Sequence, residues 1–311
     1  MRYDYSDLEN LEGAVPAKKY YSRMRIAHFQ TNLLRNKLPL PGGATFSRLI
    51  SKILLPSLEG PVVCHTSLGF DLIASKRDGI IYYYDGQYEP GTLHVMSKCL
   101  NQNDVFIDVG ASIGQMSFFA SNLVGENGKV ISFEPHPERY DGLINGIKLN
   151  KMKNVIAYNT GLGEVEKELK LYTGRASPSL ISKEEDSDFE NIKILKLDSV
   201  LEKENIKNVR MVKIDVEGFE LEVLKGSSKL LSSDEAPIIC MEYEGFGNNP
   251  LENLQFLKDV NDYAFFNLEK TKNRASKLKK IDTIEEVRLH DNVFCFLEKD
   301  VRQMSDNKLF V

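Results

Sequence analysis

Asp104-Val105-Phe106-Ile107-Asp108-Val109-Gly110-Ala111-Ser112-Ile113-Gly114 runs from an apolar strand into a glycine turn and on into a helix from Gln115. A strand buried on both faces reads as a near-continuous apolar run, as Val105 to Val109 does but for Asp108. Gly110 lets a ligand approach the backbone where a Cβ would collide. Gly114 opens a helix whose first N–H groups lack intrahelical partners. Asp108 closes the strand at its carboxyl edge, the side on which open α/β sheets bind ligands.

Outward from this stretch the chain alternates strand and helix. Val130–Phe133, Val155–Asn159, Met211–Ile214, Ile238–Met241, Tyr263–Asn267 and Val293–Leu297 read as strands, and Arg139–Asn150, Phe219–Leu231 and Leu251–Val260 as helices. This rhythm predicts a parallel sheet covered on both faces. Glu166–Tyr172 and Ile192–Leu197 interrupt it as extra strands around a polar loop, Gly174–Glu190. Upstream, Thr92–Leu100 reads as a helix. Val62–Tyr84 reads as short strands, because Ile80–Tyr84 is β-branched and aromatic. Ala17–Arg35 and Phe46–Leu55 read as helices, which gives a helical and β-hairpin extension over residues 1–87 and a main domain over 88–311.

Acidic residues gather where the strands end. The spacing G-x-x-x-G places Ser112 where a dinucleotide turn needs glycine, and Asp108 would repel a pyrophosphate. A ligand with an ammonium and no phosphate fits better. Glu134 ends the second strand, where a carboxylate can accept both hydrogens of a ribose diol, and Pro135 stiffens the turn behind it. The bland alternative is a solvated strand-end acid. Asp215 and Glu217 follow the strand Met211–Ile214, and Glu242 follows Ile238–Met241. Such carboxylates can hold a cation, orient a hydroxyl or raise each other's proton affinity. Helix capping is the simpler reading of Asp215 and Glu217.

The formal net charge of −5 argues against a general nucleic-acid binder. Charge is unevenly spread, however. No acid occurs from Gly13 to Leu58, while Lys18, Lys19, Arg23, Arg25, Arg35, Lys37, Arg48 and Lys52 do. A solvated basic face explains this, and a surface for an anionic or membrane-borne partner is the sharper reading. Lys270–Lys280 is a second basic segment. Cys64, Cys99, Cys240 and Cys295 form no C-x-x-C pair, which predicts reduced, packed thiols in a reducing compartment. Met1–Asp7 lacks the apolar core of a signal peptide, and no run is long enough to span a bilayer. The expected location is cytoplasmic, with peripheral membrane contact.

Phe106–Ala111, Phe133-Glu134-Pro135, Asn150 with Asn154-Val155, Leu197-Asp198, Lys213-Ile214-Asp215-Val216-Glu217-Gly218 and Leu224-Lys225-Gly226 occur in this order. From Tyr88 to Leu297 the chain resembles the FkbM family of S-adenosylmethionine-dependent methyltransferases. The resemblance implies a seven-stranded, Rossmann-like (class I) methyltransferase sheet with its last strand antiparallel. It implies S-adenosylmethionine as cofactor, leaving as S-adenosylhomocysteine, at Asp108, Gly110, Ala111, Gly114, Glu134, Pro135 and Asp215, with Tyr88-Glu89 near the methionine end. It further implies O-methylation of a hydroxyl on a natural product, a sugar or a glycan precursor. Ser112 and Phe219 depart from the Asn and Ala that many members carry.

An alcohol needs a base, and Asp215, Glu217 and Glu242 are the candidates. No metal is expected, although Asp215 and Glu242 are the acids that would share one. The expected acceptor is a small molecule or sugar, anionic or lipid-linked, and the oligomeric state stays open. The alternatives are an NAD-dependent oxidoreductase, a nucleic-acid methyltransferase and a non-catalytic binding protein of the same fold.

Overall fold

In a computed structural model, residues 21–33, 43–54, 62–74, 76–173, 178–181, 188–243, 250–283, 286–303 and 309–311 are described. The chain opens on helices α1 (Tyr21–Asn32) and α2 (Gly43–Leu54), a hairpin of β1 (Val62–His65) and β2 (Asp71–Ala74), and helix α3 (Lys76–Asp85). The main layer follows with α4 (Pro90–Cys99), β3 (Val105–Val109), α5 (Gln115–Val124), β4 (Lys129–Phe133), α6 (Pro137–Leu149) and β5 (Val155–Tyr158). Next come β6 (Gly161–Leu162), β7 (Lys167–Tyr172), β8 (Phe189–Leu195), α7 (Leu197–Lys203), β9 (Val209–Ile214), α8 (Glu220–Lys225) and α9 (Ser228–Leu231). The last elements are β10 (Ile238–Tyr243), α10 (Pro250–Val260), β11 (Tyr263–Leu268), β12 (Leu278–Lys280), β13 (Asp291–Leu297) and α11 (Glu298–Gln303).

The large sheet has the order β12-β11-β13-β10-β9-β3-β4-β5. Neighbours from β10 through β5 pair in parallel, whereas β13 is antiparallel to both β10 and β11. Without β12 this is the expected seven-stranded sheet with its last strand reversed. β12 adds a short eighth strand on the edge of β11. Alternation sends Ile107 and Val109 into the core on one face and Phe106 into the core on the other. All four cysteines are buried and free, as small apolar side chains.

Two local expectations are corrected and a third is refined. Ile80–Tyr84 belongs to helix α3 and not to a strand. Its β-branched, aromatic composition favours strand, but Asp78, Ile81, Tyr82 and Asp85 fall at helical spacing on one side, which turns toward the protein with Asp85 buried and the other three half-buried. The segment Phe219–Leu231 is two short helices rather than one. The break follows Gly226, where a Cβ would collide with the carbonyl of Gly163. The interruption between β5 and β9 is a separate small sheet of order β6-β8-β7. The loop expected at Gly174–Glu190 lies largely outside the described residues, as do the ends of the expected helix Ala17–Arg35.

The extension is joined to the main layer. Asn150, at the end of α6, donates to the Asp71 carbonyl at 2.7 Å and accepts from the Asp71 N–H at 2.9 Å. Phe70 of the hairpin packs edge-on against Phe118 of α5, with centroids 5.7 Å apart. α3 is thereby held over the carboxyl edge of the sheet.

Candidate active site

A cavity of about 400 Å³ opens at that edge. Its floor is the glycine turn after β3, the turns after β4 and β9, and Glu242 near the end of β10. Its walls include Asp78, Ile81 and Tyr82 of α3, and Leu162 and Leu171 of the small sheet. Asp108, Gly110, Ala111, Glu134, Pro135, Asp215, Glu217 and Glu242 all line it. Gly114 and Glu89 stand behind the wall.

The glycine turn is built by close backbone approach. Gly110 has φ +82°, and a Cβ there would strike the carbonyl of Asp215. The N–H groups of Gly110 and Ala111 both donate to the Phe133 carbonyl at 2.9 Å. Gly114 caps α5 at φ +97°, against the Phe118 ring and Leu143. Ser112, in left-handed backbone at φ 50°, donates its N–H to Glu134 Oε2 at 2.7 Å. Glu134 Oε1 accepts the N–H of His136 at 2.9 Å. The second-strand acid therefore locks the loop as well as facing the cavity. Burial pushes its carboxyl up to about 7.

Asp108 is buried. Its Oδ2 accepts the Ser117 hydroxyl at 2.6 Å, and Ser117 pairs with Ser132 at 2.7 Å. Its Oδ1 is buried without a protein partner. Burial raises this carboxyl, against the pull of Lys213. A buried acceptor with one unused oxygen suits a ligand's ammonium.

The far end of the cavity is a charge cluster. Carboxylate oxygens of Glu89, Asp215 and Glu242 lie within 4.8 Å of one another. Two buried lysines answer them. Lys213 pairs with Asp215 at 2.7 Å. The Lys272 ammonium lies 3.1 Å from Glu89 Oε1 and bonds to Glu242 Oε1. Burial alone would raise Asp215, but Lys213 holds it below the usual carboxylate range. Burial and then the charge of Asp215 push Glu242 up to about 8. Three carboxyls thus face two ammoniums, and Glu242 is the one whose proton affinity burial and Asp215 raise. Glu217 is outside this cluster. It adopts left-handed backbone at φ 54°, and its carbonyl accepts the Ser179 hydroxyl at 3.0 Å.

Glu89 is committed elsewhere than to the cavity. Its Oε2 accepts Thr92 at 3.0 Å and Asn292 at 2.8 Å, and its Oε1 faces Lys272. Tyr88 beside it does line the cavity and exchanges two hydrogen bonds with the Gln115 amide, at 2.6 and 3.0 Å. The sequence reading missed Lys272, which it left in an undifferentiated basic segment. The turn that carries it is pinned by the Gly91 N–H, which donates to the Lys272 carbonyl at 2.7 Å. The Lys272 N–H donates in turn to Asp291 at 2.8 Å.

A parallel sheet with one reversed strand and acids at its carboxyl edge is the architecture of class I methyltransferases. Residues 108–265 match the Methyltransferase FkbM domain, just over half of the chain, and the protein belongs to that family. The matched segment is narrower than the resemblance from Tyr88 to Leu297. The chain is 28% identical over 145 residues to the hexuronic acid methyltransferase AglP of Haloferax volcanii, covering 47% of this chain and 59% of that protein. It is 27% identical over 147 residues to Methyltransferase 1 of Beauveria bassiana, covering 40% of this chain and 59% of that protein. The match thus spans about 59% of the length of these curated relatives. Among solved structures, an S-adenosylmethionine-dependent O-methyltransferase from Thermotoga maritima aligns with TM-score 0.38 and 15% identity, over 79% of this chain and 80% of that chain.

Proposed function

We propose that the protein transfers a methyl group from S-adenosylmethionine to a hydroxyl of a sugar or sugar-derived acceptor. The observation that carries this reading is that one cavity is lined by two pairs of strand-end acids, which we read as a nucleoside cradle and an acid pair for proton transfer. Asp108 and Glu134 form the first, Asp215 and Glu242 the second. The Haloferax relative is named a hexuronic acid methyltransferase, which supports a sugar acid as acceptor.

The cofactor supplies an electrophilic methyl on a sulfonium. Glu134 accepts the ribose hydroxyls, and the free oxygen of Asp108 accepts the ammonium. Gly110 and Ala111 let the ligand lie against backbone. Positioning supplies much of the rate, because the acceptor oxygen must stand in line with the methyl. Glu242 takes the acceptor proton once the acid pair has lost its own. Asp215, held ionised by Lys213, orients the acceptor hydroxyl and keeps the proton affinity of Glu242 high. Glu89 acts through Lys272 and not on the ligand. Lys272 supplies the positive charge that a divalent cation would bring to these three carboxylates, so activity should survive chelation.

The test is incorporation of labelled methyl into a panel of uronic acids, neutral sugars and their glycosides, with and without EDTA. Methylation on oxygen of a sugar in both conditions is the expected result. Tight S-adenosylmethionine binding without transfer to any sugar would remove the acceptor class, and dependence on added metal would remove the role of Lys272.

A pH dependence of cofactor binding follows from Glu134. Its folded carboxyl takes a proton as pH falls through about 7 and then loses acceptor capacity. Affinity for the cofactor should fall several-fold between roughly pH 7 and pH 5.5. Glu134→Gln should bind about tenfold more weakly and respond less over that range. Calorimetric titration of both proteins compares the slopes, and equal slopes would take Glu134 out of the ribose contact.

A further inference from the structure

Helix α2 presents the wrong side to water. Phe46, Leu49 and Ile53 stand at the spacing of a helical stripe, yet they are 57%, 55% and 76% exposed. Ser47 and Ser51, on the other side, are fully buried. The buried side is polar by construction. The Gln30 side chain of α1 donates to the Ser47 carbonyl and to the Ser51 hydroxyl, each at 3.0 Å. α1 adds two more exposed apolar side chains, Ile26 and Phe29. A soluble surface scatters its large apolar residues singly. Here five of them sit on one helical pair.

Charge selects the occupant. Arg25 of α1 and Lys52 of α2 are exposed on the same pair. No acid occurs from Gly13 to Leu58, although the chain as a whole carries −5. A two-fold contact between copies would lay one basic patch on the same basic patch, since such an interface uses one surface twice. An anionic bilayer satisfies both features, with apolar side chains at the acyl boundary and bases among the headgroups.

We propose that the α1–α2 pair is a membrane-surface anchor that seats the enzyme on an anionic bilayer through Phe46, Leu49 and Ile53, flanked by Arg25 and Lys52. The anchor does not depend on which acceptor is methylated. It has a spatial consequence, because α1 and α2 both pack on α3. α3 in turn gives Asp78, Ile81 and Tyr82 to the cavity wall. One helix therefore separates the proposed lipid-facing surface from the cavity, an arrangement suited to an acceptor presented at the bilayer.

Co-sedimentation of the full chain with vesicles tests this. The probes are phosphatidylcholine alone and phosphatidylcholine mixed with phosphatidylglycerol. The expected result is partition onto the mixed vesicles about tenfold stronger than onto the neutral ones. The triple variant Phe46→Ser, Leu49→Ser, Ile53→Ser should stay in the supernatant with both. Arg25→Glu with Lys52→Glu alters only exposed side chains and should erase the preference for phosphatidylglycerol, which keeps the test decisive if the triple variant misfolds. Wild-type protein that ignores both vesicles, or binds them equally, overturns the proposal. A wild-type dimer in sedimentation velocity that the triple variant dissociates assigns the patch to a second copy and overturns it as well.

Discussion

Glu242→Gln is expected to lower kcat by about 10²-fold or more while leaving the dissociation constant for S-adenosylmethionine within a few-fold. The amide keeps the size of the side chain and removes the group whose carboxyl is pushed up to about 8. In the wild type, kcat should rise with pH through that region, because the base form of the Asp215–Glu242 pair appears only after its last proton leaves. Asp215→Asn should also cut turnover strongly. It removes the negative charge that raises Glu242, so the rising limb should move to lower pH. Single-turnover rates across pH, beside equilibrium cofactor titrations, separate these effects. A Glu242→Gln enzyme with wild-type kcat, or two variants with unmoved pH profiles, would remove the acid pair from proton transfer.

Lys272→Met should be the most damaging change to stability around the cavity. It leaves Glu89 and Glu242 facing each other in a buried setting with their shared cation gone. Deleting one partner of a buried ionic group costs about 3–5 kcal/mol, mostly through the charge left behind. The pH sign follows from that charge. Carboxyls whose folded proton affinity exceeds the unfolded one favour the folded state at low pH, and this contribution is lost as pH rises. Glu242 already behaves this way, with a folded value near 8 against 4.5 for the free side chain. The variant should therefore melt progressively lower from mildly acidic to alkaline pH, more steeply than the wild type. Its kcat limb should shift upward from about 8, since Lys272 holds the proton affinity of Glu242 down. Thermal melts over pH check the first expectation and rate profiles the second. A variant as stable as wild type at alkaline pH would show that the ammonium is not what neutralises the cluster.

The cavity-lining carboxylates were legible because each stands at the end of a locally recognisable strand. Asp108, Glu134, Asp215 and Glu242 each end an apolar strand, and a parallel sheet delivers all such ends to one edge. The parallel strands were legible from their apolar runs, whereas the reversed last strand was implied only by the family resemblance. Lys272 was not, and no local signal marks it. Lys270, Lys277, Lys279 and Lys280 share its segment and are exposed, while Lys272 alone among these is buried. Which lysine turns inward is decided by Glu89 and Glu242, far away in sequence. Glu89 was placed near the cofactor, whereas its oxygens are taken up by Thr92, Asn292 and Lys272. The helix α3 escaped for a different reason. Residue preference in Ile80–Tyr84 pointed to strand, and the helical repeat of Asp78, Ile81, Tyr82 and Asp85 was the signal that could have corrected it.

Glu89 and Lys272 both fall outside residues 108–265, the segment that matches the family domain. Glu242, which they serve, falls inside it. Relatives that share only the matched segment would thus inherit an acid without the counterion that tames it. Chimeras that graft this segment alone between family members should fail when acid and lysine come from different parents, and recover when the 269–277 loop between β11 and β12 and the start of α4 travel together. Such a linked exchange would make the loop a portable module of acceptor choice, moved as one unit or not at all.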